Sequence, residues 1–441
     1  VRAARGGDAR ARMGIAGGAL RGRSLRALGQ PEVCVRALAP WMAASEQQSS
    51  EQPRAVSEFL SQLGRCHRQL GGLDVARDLF GKALALRSGL ADSKALQAES
   101  QTDLAGLLAD EGRHAQAITA IRDALTLLRE SGGDRNALGV EIWRDLGSLH
   151  RMVGDTLESE ASYRQSLEIA LNRFGPSHPA TTSVQRPLGA MLIEAGKLTE
   201  AERLLRQAHE RLLARFGPEH AEVAASWQTL GQLALEQGQL AQAQDALQRS
   251  LQLRRRSNEL GARGSVLCDL ARTRLALAQA ESAELLAHEC QQQALAFDPV
   301  QAARSERLLA EVARVQGNPQ AAAALLASAK RRLLAAGIDP TSRALALVDL
   351  AKVRLLIDGG DLVQARAALD ALQARPRRRS VESDDVAWRT DALEARLLCR
   401  LGRAGEGREL AAATLAAAAT RQPERQRTLD EIAEISKPCG G

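Results

Sequence analysis

A small, turn-permissive residue recurs ten times along this chain at a nearly constant interval: Gly29, Gly71, Gly112, Gly154, Gly196, Gly238, Ala278, Gly317, Gly360 and Gly402. The gaps are 42, 41, 42, 42, 42, 40, 39, 43 and 42 residues. A fixed period of this length marks an array of repeats, each contacting only its neighbours, rather than one globular core.

The same pattern surrounds each of these sites. Eight and seven residues before it stands a Leu followed by a small residue: Leu63-Gly64, Leu104-Ala105, Leu146-Gly147, Leu188-Gly189, Leu230-Gly231, Leu270-Ala271 and Leu309-Ala310. Five residues after it comes Ala76, Ala117, Ser159, Ala201, Ala243, Ala283, Ala322 or Ala365, and twelve after it Ala83, Ala124, Ser166, Ala208, Ser250, Cys290 or Ala329. Small residues at helical spacing let two helices approach closely, while Phe80, Ile121, Tyr163, Leu205 and Leu247 fill the remaining space. The recurring glycine falls where a first helix, A, must end and turn into a second, B, because glycine reaches a left-handed cap without steric cost. Each interval therefore encodes an antiparallel helix pair with too little apolar surface to fold alone.

This pattern resembles the tetratricopeptide repeat (TPR) family over most of the chain. The linkers Phe174-Gly175-Pro176-Ser177-His178-Pro179 and Phe216-Gly217-Pro218-Glu219-His220 are similar to the Gly-Pro-Asp-His-Pro linkers of its 42-residue, kinesin-light-chain-like subclass. The resemblance implies an all-α, right-handed superhelical solenoid of antiparallel helix pairs, a single curved rod. The expected organisation is an Arg/Gly-rich, disordered lead over 1–14, a degenerate first repeat and linker over 15–54, and regular repeats over 55–255. Divergent repeats follow over 256–420, with a C-terminal capping helix and tail over 421–441. Hydrophobic residues at 45% and aromatics at only 2% suit Ala/Leu helix stacks and would starve a β domain of core formers.

The net charge of +6 invites a nucleic-acid reading, but 53 acidic residues are interleaved with 53 arginines and 6 lysines. Ten aromatic residues offer little stacking surface for single strands, so nucleic acid is disfavoured. The densest basic runs, Arg254-Arg255-Arg256 and Arg375-Pro376-Arg377-Arg378-Arg379, read as solvated inter-repeat loops more simply than as a docking site for an acidic partner. Cys34, Cys66, Cys268, Cys290, Cys399 and Cys439 form no C-x-x-C pair and have no companion histidines at zinc spacing, so no metal is expected. They read as small buried residues in a reducing compartment, hence a cytoplasmic location. No apolar run of 18 residues is present to cross a membrane.

No metalloprotease, nucleophile-elbow, phosphate-loop or kinase catalytic-loop pattern occurs, so neither a catalytic residue nor a cofactor is expected. His178 and His220 belong to the linker motif, where the ring caps or packs against the next helix. Pro187, inside a helix A, is expected to kink it or delay its start. Glycines in residues 1–26 are expected to break any amphipathic helix there, and the missing polar N-cap suggests that something precedes the array.

The candidate binding surface is the concave face lined by helix A residues pointing away from the core: Arg65, Arg68, Asp103, Arg144, Asp145, Ser148, Arg151, Arg186, Gln228, Gln232, Asp269 and Arg272. Its mixed signs suit a protein or peptide partner better than a polyanion, and the alternative is that these residues are merely solvated. The Lys/Asn clamp by which chaperone-binding relatives hold a terminal carboxylate is missing. The Ala/Arg-rich array also resembles the C-terminal repeats of large bacterial Ser/Thr protein kinases, which implies a signalling scaffold that recruits partners. The ligand-sensing repeat domain of a transcriptional regulator is the alternative.

Overall fold

The structure, a computed structural model, describes residues 2–27, 29–133, 135–256, 260–294, 299–375 and 381–437. Among them the chain is helical throughout, without a strand. It divides into two compact units, Val1–Met152 with Gln165–Gly175, and Val153–Arg164 with Pro176–Gly441.

The first unit holds α1 (Arg2–Ala27), α2 (Pro31–Leu38), α3 (Met42–Gln47), α4 (Pro53–Gln69), α5 (Leu73–Ser88), α6 (Lys94–Asp110), α7 (His114–Glu130) and α8 (Ala137–Met152). The division falls within α9 (Thr156–Phe174). The second unit begins with α10 (Pro179–Glu194), α11 (Leu198–Phe216), α12 (Ala221–Glu236), α13 (Leu240–Arg256), α14 (Leu260–Ala276) and α15 (Ala280–Ala294). It continues with α16 (Pro299–Val315), α17 (Pro319–Ala335), α18 (Arg343–Asp358), α19 (Leu362–Gln373), α20 (Val381–Arg400), α21 (Ala404–Arg421) and α22 (Gln426–Ser436).

All ten periodic sites are left-handed turns, with φ between 68° and 82° at the nine glycines and 58° at Ala278. Gly29, Gly71, Gly112, Gly196, Gly238, Gly317, Gly360 and Gly402 close their helices in the same way. At Gly196 the amide donates to the Ile193 carbonyl at 3.1 Å, and the next amide, of Lys197, donates to the Leu192 carbonyl at 2.9 Å. Ala278 makes the equivalent pair to Leu275 and, through Gln279, to Arg274, while bearing the steric cost of a Cβ in that region, about 1–2 kcal/mol.

Helices pack as A–B pairs because the small residues remove the obstacle between them. A Cβ on Gly64 would stand 2.6 Å from the Phe80 ring, and one on Gly189 or Gly231 would stand 2.6 Å from Leu205 or Leu247. Ala76, Ala117, Ala201, Ala243, Ala322 and Ala365 are buried at the matching positions of the B helices. Where serine replaces alanine in the later small position it gains a partner. Ser166 Oγ donates to the Val140 carbonyl and Ser250 Oγ to the Ala224 carbonyl, both at 2.7 Å. The linker histidines are N-caps: Nδ1 of His178 accepts from the Ala180 amide and Nδ1 of His220 from the Glu222 amide, each at 3.2 Å.

Two expectations about helix boundaries need correction. Residues 2–14 lie within α1, which runs unbroken through its glycines. Gly14, Gly18 and Gly22, four apart, form the stripe on which α1 lies against Trp41, Phe59 and Leu38, so the absent side chains make the contact possible. Helix α10 runs unbroken from Pro179 through Pro187, so its start is not delayed.

The cysteines are not reduced core residues. Cys34 and Cys66 form a disulfide joining α2 to α4, with their Cα atoms 6.2 Å apart. Cys268 and Cys290 join α14 to α15 at 5.5 Å, both within disulfide range. Cys290 occupies the position where Ser166 and Ser250 reach back to the preceding helix, and it makes that connection covalently. Cys439 lies outside the described residues. The bonds close loops with sequence separations of 32 and 22, for which reduction should cost roughly 3 kcal/mol each. Urea unfolding with and without reductant should show that loss, and the unreduced, unfolded chain should leave positions 34, 66, 268 and 290 unlabelled by a thiol reagent. Labelling there would contradict the pairing.

Candidate functional site

The A helices lie side by side in a row. In the first unit α4, α6 and α8 neighbour one another, and in the second α10, α12, α14, α16, α18 and α20 do. The second row is curled. Helix α22 touches both α12 and α20, although α12 and α20 are four A helices apart. At about 8–10 Å per helix a flat row would separate them by well over 30 Å. An 11-residue helix is only about 16 Å long. The A-helix face of this unit is therefore concave.

On that face the predicted residues are joined to one another and to partners one repeat away. Asp269, fully buried on α14, accepts from Nε2 of Gln228 at 2.9 Å and Nε2 of Gln232 at 2.7 Å on α12, and from Nη2 of Arg304 at 2.5 Å on α16. Arg272 donates to Glu236 at 2.8 Å. Arg186 stands 4.0 Å from Glu222, at the limit of an ion pair. In the first unit Arg65 on α4 donates to Asp103 at 2.5 Å and to Glu99 at 2.9 Å on α6, and Arg68 donates to Asp110 at 2.6 Å. Arg144 pairs with its neighbour Asp145 at 3.0 Å. Ser148 and Arg151 lie on α8 of the same row.

These residues are therefore neither free nor merely solvated. Those that pair one repeat away form a ladder that ties neighbouring A helices, whereas Arg144 and Asp145 pair within α8. Further rungs escaped the sequence pattern, among them Arg304, Arg343 with Asp385 at 2.6 Å, and Arg389 with Glu431 at 2.9 Å. The signal that could reveal them is charge of opposite sign separated by one repeat, 34–42 residues, as in every ion pair above between A helices.

Burial alone would raise Glu236, but Arg272, Arg425 and Arg427 override it and hold its carboxyl at about 2. Asp269 is likewise held below the carboxylate range by Arg304 and Arg272 against the effect of burial. Arginine is in surplus. Burial, with Arg304 and Arg389 nearby, lowers Arg307 to about 10. Among the described residues no cluster of three His, Cys, Asp or Glu side chains could hold a metal ion.

The tetratricopeptide repeat family matches residues 55–130, 96–172, 140–213 and 180–256, four overlapping stretches without a break. Residues 55–256 are tetratricopeptide repeats. Solved structures of similar fold cover more of the chain. The apo quorum sensor NprR of B. thuringiensis is 13% identical, with 78% of this chain and 97% of that one covered and a TM-score of 0.54. Aspartyl phosphate phosphatase F of Bacillus subtilis is 13% identical, with 81% and 93% covered and a TM-score of 0.51. Kinesin light chain TPR-like repeats of Podosopora anserina are 20% identical over 45% of this chain and 96% of that one, with a TM-score of 0.36. No curated protein matches this sequence. No helix among the described residues is long and apolar enough to cross a membrane.

The ladder fixes the sign of one pH effect. Glu236 releases its proton more readily folded, at about 2, than at its ordinary value of 4.5. Its contribution to stability is therefore complete above pH 4.5 and is lost as the pH falls from 4.5 towards 2. Urea midpoints measured across that window should fall with pH, and Glu236→Gln should flatten the slope while lowering stability at pH 7. An unchanged slope in the variant would show that Glu236 is not held ionised by the arginines.

Proposed function

We propose that the chain is a non-catalytic protein-interaction scaffold that binds a peptide or partner protein on the A-helix face of its repeats. The observation that carries this reading is the order of that face within each unit: polar side chains tie α4 to α6 in the first, and each A helix from α12 to α20 to the next in the second. Preorganisation of this kind lowers the cost of ordering the surface when an extended segment binds. Arg144 and Arg186 stand on successive A-type helices with side chains 29% and 38% exposed, so each unit presents charge to a partner. Affinity should accordingly decline with added salt, though less steeply than for a phosphate-reading protein.

The narrower reading, the regulatory tail of a bacterial signalling kinase, rests on the Ala/Arg-rich composition of the array. The alternative, a ligand-sensing repeat domain of a transcriptional regulator, places its ligand on the same face; the quorum sensor NprR shares the fold. The cytoplasmic location expected from reduced cysteines loses its support, because two disulfides favour an oxidising compartment.

A photo-crosslinking amino acid placed at Arg144 or Arg186 should capture a partner that the same probe at Arg203 or Gln248, exposed on B helices, does not. Capture of that partner from the B-helix positions alone would overturn the assignment of the face.

A further inference from the structure

The residues that join α21 to α22 make polar contacts that the last helix of an array does not need. The turn between α10 and α11 leaves carbonyls of one helix and amides of the next without intrahelical partners. Lys197, the N-cap residue of α11, offers no side-chain cap. Both deficits are met from far along the chain. Gln422 Nε2 donates to the Ala195 carbonyl at 3.2 Å, across 227 positions of sequence. The Thr199 amide donates to Glu424 Oε2 at 2.7 Å, and the Thr199 hydroxyl donates to the other carboxylate oxygen, across 225 positions.

One repeat further on, Arg425 reaches Glu236, with Nε 3.5 Å from Oε2, and Gln426 lies over the turn at Gly238. The glycine that the left-handed turn requires also leaves room for this contact, since a Cβ on Gly196 would stand 2.5 Å from the Gln422 amide carbon. The buried positions Gln422, Arg425, Thr428, Ile432 and Ile435 form one stripe at helical spacing. Its two ends differ in chemistry. Ile432 and Ile435 join the apolar core with Val353, Ile357, Trp388 and Leu397, whereas the 422–425 end is held by hydrogen bonds and one ion pair.

We propose that residues 422–425 are a reversible clasp that closes the A-helix row of the second unit on itself, so that a partner segment takes that face only in competition with the chain's own C-terminal segment. The competition rests on the scaffold reading above; the clasp itself does not. Apolar burial keeps α22 on α20 while the polar end releases, and Arg354 with Glu434 at 2.9 Å and Arg389 with Glu431 at 2.9 Å hold the helix from the same side.

Hydrogen exchange of the full chain, followed at the Thr199 amide, tests the clasp directly. Glu424→Ala, which removes only the cap, and the double variant Glu424→Lys with Arg425→Glu should each speed that exchange at least tenfold while α12 to α17 keep their protection. Unchanged exchange at Thr199 would overturn the proposal. So would faster exchange spread through α12 to α17, which would make the segment a fixed keystone. In the same variants, crosslinking of the partner from position 186 should rise severalfold, and an unchanged yield beside faster Thr199 exchange would overturn the competition. Failure to capture a partner in any form would count against the scaffold reading, and the Thr199 rate would still decide the clasp.

Discussion

A single helix pair of this chain cannot hide its apolar stripe from water, and everything else in the structure follows from how the pairs solve that problem. Close approach is the solution. Gly64, Gly189 and Gly231 admit Phe80, Leu205 and Leu247 to within contact of the opposing backbone, and a methyl group at any of them would collide. The left-handed turns then reverse the chain with nearly the same backbone conformation each time. Ala278 shows how strong that demand is, for the turn is kept where the sequence supplies no glycine.

Apolar packing of Ala and Leu is weakly directional, so it does not by itself fix how far one A helix stands from the next. The polar ladder supplies that distance. Asp269 illustrates the logic: a fully buried carboxylate is costly unless its lone pairs are met, and three donors from the helices before and after it meet them. A residue pointing from an A helix thus has two uses, to hold the neighbouring helix and to present what remains of its charge to a partner. Arg186 is closest to the second use and Asp269 to the first.

Much of this was legible in the sequence because it repeats. The turn positions, the small residues between helices and the capping role of His178 and His220 all follow from a pattern seen several times over. What happens once is harder to read. The pairing of Cys34 with Cys66 and of Cys268 with Cys290 uses positions where sister repeats carry other residues. The docking of Gln422 and Glu424 on the turn at 195–199 spans more than two hundred residues and leaves no periodic trace. Glycine in α1 misled for a physical reason: low helix propensity was weighed, while the close packing that Gly14, Gly18 and Gly22 permit was not. The candidate residues lie on A helices, but their partners depend on side-chain reach across a repeat, which spacing within one repeat does not reveal.

The ladder is most directly tested by a double-mutant cycle between Arg304 and Asp269, with each replaced by alanine singly and together and unfolding followed in urea. The pair should couple by more than about 1 kcal/mol, because removing either partner strands the other in a buried site. A coupling energy within about 0.3 kcal/mol of zero would show that the A helices are spaced by apolar packing alone, and the ladder would then be only decoration on the face it lines.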